Sequence, residues 1–383
     1  MKKVLIAANL AGFASFLLSD IDILTEMGYE IHFMANCNVL PWNDTKIELI
    51  KRNVKIINVE IDSKNPFKIH NILEFFRIKK ILKTENYSLI HCHTPIIGFI
   101  VRLAAKGFKN NNCKVIYTSH GFSFNKNSSK KSWFMFHNLE KIASKYCDAI
   151  ITINNEDYKN ALSFNTCKCY LINGVGVDLS KYSSNIKIRK EYRIKLGIGQ
   201  DKIVVLSVGE LSVRKNHQLI IKAISHLNDK ERYIYVICGN GVDDKIKNEL
   251  VLLSSKLGVN VLLLGFRKDI PEITNCSDIG AIPSLREGLG LAGIQSLACG
   301  VPLVGSNVQG IKDYIINNKT GYLFDAFDDI AAARAIKKLS NKHVRDSMKK
   351  NCLEMAQKYS IDISRKQRKD IYDEILGDNY DKH

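Results

Sequence analysis

Short β-branched, apolar runs alternate with longer stretches of helical periodicity from one end of the chain to the other. That alternation is the pattern of parallel strands joined by right-handed helical crossovers. The first half predicts strands at residues 4–8, 30–34, 55–59, 89–93, 115–119, 149–153 and 170–173, and the second half at 204–208, 233–238, 261–264, 279–282, 302–305 and 321–324. These runs are hydrophobic almost without interruption, as expected where helices cover both faces of a parallel sheet. The fold class is therefore α/β, with two Rossmann-like, doubly wound parallel-sheet domains in tandem facing a cleft. Residues 174–201 carry turn glycines, Ser183-Ser184-Asn185 and a basic run, which predicts the link between the halves there.

The length of 383 residues fits two domains with full cores. Lysine and arginine exceed the acids by 17 charges, a surplus suited to phosphates, nucleic acid or an anionic membrane. The cations fall in small groups (Arg77, Lys79, Lys80, Lys83; Arg189, Lys190, Arg193, Lys195; Arg365, Lys366, Arg368, Lys369), so most read as solvated helix faces and not as a nucleic-acid tail. No nucleic-acid partner is expected. Ten cysteines stand without a CxxC pair and read as small buried hydrophobes in a reducing compartment. Asn9 interrupts the apolar start, Asp20 and Asp22 follow it, and the segment reads as strand and helix instead of a signal peptide. No other run approaches a membrane span, so the chain is expected to be cytoplasmic and soluble or peripherally attached.

Ligands of doubly wound sheets bind at the carboxyl ends of the strands, where helix N-termini offer unpaired amides. After strand 204–208 come Gly209, Arg214 and Lys215, then an apolar-periodic helix. Such a glycine turn with two cations can grip a diphosphate, although any surface loop can carry an Arg-Lys pair. After strand 279–282 comes Gly-x-Gly-x-x-Gly at Gly288, Gly290 and Gly293. A dinucleotide-binding turn is one reading and close helix packing another; the motif is not in the first strand unit of its half, and Ser306 and Asn307 end the next strand where an acid for a ribose belongs.

The block from Ser284-Leu285-Arg286-Glu287-Gly288-Leu289-Gly290 to Ala298-Cys299-Gly300-Val301-Pro302 resembles the retaining glycosyltransferases of family 4, in particular their capsule and exopolysaccharide branch. The resemblance continues in the Gly-x-Leu-x-x-x-Lys turn at 209–215, Gly305 to Gly310, Gly321-Tyr322-Leu323, His91-Cys92-His93-Thr94-Pro95, Ser119-His120-Gly121-Phe122 and Gly174-Val175-Gly176-Val177-Asp178, and covers residues 4–375. Two departures stand out. Gln295 occupies the place of the family's second glutamate, and Glu210 stands where an arginine follows the phosphate-turn glycine.

What the resemblance implies is a GT-B fold, with residues 1–174 binding the acceptor, residues 175–360 binding the nucleotide sugar, and a last helix near 361–376 crossing back to the first domain. Lys215 and Arg214 would stabilise the leaving diphosphate together with the turn of Gly209 and the amides of Gly288, Gly290, Leu291 and Ala292. Glu287 would orient the donor sugar, and Gln295 would reach the ribose hydroxyls. His120 would sit beside the reacting sugar, and Asn9 and Gly12 would lie against the diphosphate and acceptor. No metal or other cofactor is implied. The partners would be a nucleotide sugar, by default a UDP-sugar, and a lipid-linked saccharide at the inner face of the cytoplasmic membrane, in capsule, exopolysaccharide or O-antigen biosynthesis. Residues 68–83 and 130–136 mix cations with apolar side chains as interfacial helices do, but the apolar residues of 68–83 surround the helix, which favours an ordinary core helix. The competing functions are an NAD-dependent sugar-nucleotide oxidoreductase or epimerase using Gly288 to Gly293, and a noncatalytic sugar-nucleotide-binding protein.

Overall fold

A computed structural model describes residues 1–39, 42–62, 68–107, 113–125 and 128–377. The chain divides into two compact units, one of Met1–Val175 with Asp362 onward and one of Gly176–Ile361. The first holds a seven-stranded parallel sheet of β1 (Lys3–Leu10), β2 (Glu30–Asn36), β3 (Lys55–Asn58), β4 (Tyr87–His93), β5 (Lys114–Ser119), β6 (Ala149–Thr152) and β7 (Lys168–Leu171), in the order β3-β2-β1-β4-β5-β6-β7. The second holds a six-stranded one of β8 (Ile203–Val208), β9 (Tyr233–Cys238), β10 (Asn260–Gly265), β11 (Ile279–Ile282), β12 (Leu303–Ser306) and β13 (Gly321–Phe324), in the order β10-β9-β8-β11-β12-β13. Every strand the hydrophobic runs predict is present, with ends displaced by a residue or two.

In the first unit, right-handed crossovers put the helices Ile69–Glu85, Pro95–Ala104, Lys130–Ser144 and Asn155–Phe164 on one face of the sheet. Their inward residues share one core with the strands: Ile78 and Leu82, Ile97 and Val101, and Phe164 meet Leu5, Cys92 and Tyr117. Gly98 is required there, because a Cβ would come within 2.8 Å of the Tyr117 ring. Arg102, fully buried, crosses from the helix Pro95–Ala104 to Glu140 of Lys130–Ser144 at 2.7 Å and lies over the same ring.

The opposite face is polar. Asp20, nearly fully buried, accepts from Tyr372 at 2.7 Å and from Arg368 at 3.0 Å, both on the helix Ile361–Gly377. Of the basic groups read as solvated, Arg368 is thus a buried ion-pair partner.

Part of the segment expected to link the halves is likewise ordered. Residues Ile186–Lys195 form a helix of the second unit, capped by the Asn185 side chain, which accepts from the amides of Lys187 and Ile188. Its Arg193 is completely buried and reaches Asp278 at 2.6 Å, while Arg189 reaches the same carboxylate at 2.8 Å and Arg345 at 3.2 Å. Asp278 also accepts from the amide of Val204 at the start of β8, so one carboxylate ties this helix to the sheet.

Removing a partner from such a cluster leaves a buried charge uncompensated, which typically costs about 3–5 kcal/mol. Asp278→Ala should lower the urea midpoint of the second unit by a corresponding amount without changing the slope of the transition. A midpoint within experimental error of the parent would show that the carbonyl contacts of Arg193 suffice.

Candidate functional site

Both sheets reverse their strand order once, between β1 and β4 in the first unit and between β8 and β11 in the second. The turns that leave adjacent strands at such a point run to opposite faces and open a crevice between them. The residues nominated from the sequence follow strands at or next to these two points.

In the second unit the crevice is walled by residues 209–216 after β8 and 283–290 after β11. The Leu285 amide donates to the Arg214 carbonyl at 2.8 Å, and the Asn216 side chain donates to the carbonyls of Pro283 and Ala326, so the two turns are held as one body. Asn216 has a positive φ of 52°, which stops the short 3-10 turn Val213–Lys215 and starts the helix His217–Ser225. Ser212 accepts from the Lys215 amide and fixes where that side chain leaves. Lys215 Nζ then lies 2.7 Å from Glu287 Oε2, Arg214 Nη1 lies 3.3 Å from the same oxygen, and Ser284 Oγ donates to it at 3.1 Å. One carboxylate oxygen therefore collects three donors. Arg214 is also held by Glu210 at 2.9 Å, so that departure from the family pattern acts as a second anchor for Arg214.

The glycines fit this packing. A Cβ on Gly209 would come within 3.0 Å of the Lys215 stem, and Gly290 takes a φ of +80° at the start of the helix Leu291–Ala298. A Cβ on Gly293 would lie 2.5 Å from Tyr314 Oη, and one on Gly310 only 2.2 Å from the Gly288 carbonyl oxygen. Close packing against Tyr314 and Gly310 thus accounts for the Gly-x-Gly-x-x-Gly spacing, the alternative left open by the sequence. The amides of Leu291 and Ala292 belong to the first turn, where no intrahelical carbonyl reaches them. Gln295, half-buried, shares their side of the helix. Asn216, Ser284 and Tyr314 were not nominated from the sequence; only a positive-φ asparagine before a helix could have signalled the first.

In the first unit Asn9 and Thr94 join the two turns at the reversal. The Asn9 amide donates to Thr94 Oγ1 at 2.9 Å, and Asn9 Oδ1 accepts from the Ile97 amide at 2.8 Å, capping the helix Pro95–Ala104. The side chain expected against a diphosphate is thus already engaged as a cap. Gly12 lies in the 3-10 turn Ala11–Phe16, whose Phe13 sets its ring against His120 at 4.8 Å between centroids. His120 follows β5, and its Nε2 is 3.1 Å from Nδ1 of His93. Beneath them, His91 bonds Thr118 and Tyr372 at 2.8 Å each, continuing to Asp20. Burial drives His91 and His120 down to about 4, and His93 well below its ordinary value. All three rings are neutral at physiological pH, so His120 offers a hydrogen bond and no charge.

The structure thus brings Gly209, Arg214, Lys215, Glu287, Gly288, Gly290, Leu291, Ala292 and Gln295 to one crevice in the second unit. It brings Asn9, Gly12 and His120 to another in the first.

Residues 188–358 match the model of the glycosyl transferases group 1, and residues 4–154 match that of the glycosyl transferase 4-like domain. EpsD of Bacillus subtilis strain 168, which carries a glycosyltransferase designation, is 31% identical over 349 residues, covering 89% of this chain and 88% of its own. A UDP-Gal:α-D-GlcNAc-diphosphoundecaprenol α-1,3-galactosyltransferase of Escherichia coli is 29% identical over 293 residues, 74% of each chain. HepE of Anabaena, solved with UDP and glucose, superimposes with a TM-score of 0.79 at 17% identity over 98% of this chain and 100% of its own. The chain belongs to the glycosyltransferases, and its two parallel-sheet units are those of the GT-B fold. It is a glycosyltransferase enzyme.

Histidines buried in the neutral form make the chain acid-sensitive in a defined window. Unfolded histidine takes a proton near 6.5, whereas His91, His120 and His217 resist it until about 4, each chiefly because of burial. Between those values the unfolded state binds more protons, so stability falls as pH drops from about 6.5 to 4, and below 4 these groups add no further loss. Proton NMR titration should place the His120 midpoint near 4; a midpoint at the ordinary value would mean that the ring is solvated.

Proposed function

We propose that this enzyme is a retaining glycosyltransferase that moves a sugar from a UDP-sugar to a lipid-linked saccharide at the inner face of the cytoplasmic membrane, in the assembly of a bacterial capsule, exopolysaccharide or O-antigen. The observation that carries the reading is the cation pair Lys215 and Arg214, converging on Glu287 beside the first turn of Leu291–Ala298. The UDP and diphosphoundecaprenol in the name of the E. coli relative support the donor and acceptor classes.

Negative charge grows on the leaving diphosphate as the bond to the sugar lengthens. Lys215, Arg214 and the amides of Leu291 and Ala292 stabilise it, and being held in place beforehand they need little rearrangement. The diphosphate takes the two cations from Glu287, whose carboxylate then accepts hydrogen bonds from the sugar hydroxyls. Gln295 serves the ribose, and neutral His120 hydrogen-bonds a donor hydroxyl near the acceptor. Retention has the acceptor hydroxyl attack from the face the diphosphate leaves: a carbon–oxygen bond forms to the acceptor, the one to phosphate breaks, and the hydroxyl proton passes to the departing phosphate oxygen. No metal takes part in this scheme. An NAD-dependent oxidoreductase or epimerase is not favoured, because packing against Tyr314 and Gly310 explains the glycine triplet.

The test is transfer from a panel of UDP-sugars to a polyprenyl-diphosphate-linked saccharide in EDTA. Losing one preorganised donor typically lowers turnover by about 10²–10³-fold. Lys215→Ala should lose turnover on that scale and bind UDP more weakly by calorimetry. Glu287→Gln should lose turnover while keeping UDP affinity, since it removes a contact to the sugar alone. Calorimetric binding of NAD without UDP would overturn the proposal, and activity that returns only on adding a divalent cation would overturn its metal-free form.

A further inference from the structure

The helix Ile69–Glu85 does not bury its apolar residues as a core helix would. Ile78 and Leu82 face the sheet with Asn71 and Glu74, whereas Ile69, Ile72, Leu73 and Phe76 stand 78%, 51%, 63% and 61% exposed. Their spacing of i, i+3, i+4 and i+7 makes them one stripe, and Lys79, Lys80 and Lys83 continue it at i+10, i+11 and i+14. The outward stripe is therefore apolar for two turns and cationic for the next two.

The helix Lys130–Ser144 repeats the composition. Its outward residues include Lys130, Lys131, Phe134, Met135, Lys141 and Ile142, with Phe134 at 68% and Met135 at 46% exposure. Both helices lie on the same face of the first sheet, on either side of Pro95–Ala104, and the buried Arg102–Glu140 pair fixes that middle helix to one of them. Each ends just before a strand begins, so each starts at the carboxyl end of the sheet, the end that carries Asn9 and His120. The exposed apolar residues of Ile69–Glu85 and Phe134 and Met135 lie in the leading halves of their helices, at that end.

The charge pattern selects the occupant. Neither helix offers an unpaired carboxylate outward: Glu74 and Glu140 are buried, and Glu85 is held by Lys3 and Lys55. A second copy docking about a two-fold axis would set lysines against lysines. Apolar side chains at the level of the acyl boundary with lysines beside them are the two signals that together hold a protein at an anionic bilayer.

We infer that the face formed by Ile69–Glu85 and Lys130–Ser144 docks on an anionic lipid bilayer, inserting Ile69, Ile72, Leu73, Phe76, Phe134 and Met135. Lys79, Lys80 and Lys83 meet the headgroups. This deepens the proposed function, resting on its lipid-borne acceptor, by naming the face that turns the acceptor-side crevice to the membrane.

The full chain should cosediment with vesicles of equal parts phosphatidylcholine and phosphatidylglycerol, and much less with phosphatidylcholine alone. Ile72→Asp with Phe76→Asp should weaken partitioning at least tenfold. Lys79→Gln, Lys80→Gln and Lys83→Gln together should remove most of the preference for the anionic lipid, at about fivefold per lysine in low salt. All these side chains are exposed, so an unchanged melting temperature is the check on folding. Leu252→Asp, at a residue 71% exposed on the helix Lys245–Leu257 of the other unit, should partition as the parent does. The inference is overturned if the parent ignores both vesicles, if Leu252→Asp loses as much as the double variant, or if the parent is a dimer that the double variant dissolves. UDP binding and transfer to a water-soluble acceptor analogue report on the proposed function separately. Their retention without vesicle binding would sink the docking face alone, and vesicle binding without them would sink the transferase scheme alone.

Discussion

Each unit depends on the single reversal of strand order in its sheet. A parallel sheet wound in one direction sends all its crossovers to one face, and neighbouring strand ends are then roofed by successive turns. Starting in the middle and proceeding first to one edge and then to the other parts the turns at one point only. In the second unit that point lies between β8 and β11, and the Leu285–Arg214 backbone bond and the Asn216 side chain close the crevice at its base. In the first, Asn9 does the same between β1 and β4. An asparagine bridges the turns in both because its short side chain can reach backbone groups of both polarities.

The charges at the second reversal follow from the same constraint. Lys215 and Arg214 must stand at the mouth of a crevice built for an anion, and cations there are costly to leave unpaired between turnovers. Glu287 supplies the countercharge, and Ser284 holds it in place. Glu210 belongs to this balance. The family's arginine at that place would add a cation, whereas Glu210 instead draws Arg214 to one side and steadies it. Gln295 shifts the balance the other way, by withholding a second carboxylate from a site that receives a diphosphate.

Sheets are legible in this sequence because a strand covered on both faces has no polar register to obscure it. The thirteen strands could be read one at a time from local runs. The buried charges could not, since their partners lie far away: Arg193 looks like one more cation in a basic run until Asp278 is found beneath it, and Arg368 and Tyr372 meet Asp20 across almost the whole length of the chain. The helix Ile69–Glu85 failed for a different reason. Its apolar residues do surround the axis, but composition cannot say which arc faces the sheet. The inner arc includes Asn71 and Glu74, while four large hydrophobes point outward. Glu287, Lys215 and His120 were nominated through motif order, whereas the residues that position them, Ser284, Asn216 and His93, carry no motif of their own.

The first unit shows how such distant partners reach the site. His120 is set by His93, and His93 stacks on His91 with ring centroids 4.0 Å apart. His91 is fixed in turn by Thr118 on the neighbouring strand and by Tyr372 on the helix Ile361–Gly377. A histidine expected to hydrogen-bond a sugar must keep one ring orientation, and a neutral imidazole surrounded only by apolar side chains would have nothing to hold it. The aspartate at the base resolves this. Asp20 accepts from both Tyr372 and Arg368, so the tyrosine hydroxyl has its proton committed and presents its lone pair to His91 Nδ1. That fixes the proton of His91 on Nδ1 and leaves Nε2 to accept from Thr118. A helix near the end of the sequence thereby sets the hydrogen-bond direction beneath the histidines at the carboxyl edge of the first sheet, which gives its return to that unit a chemical purpose as well as a structural one.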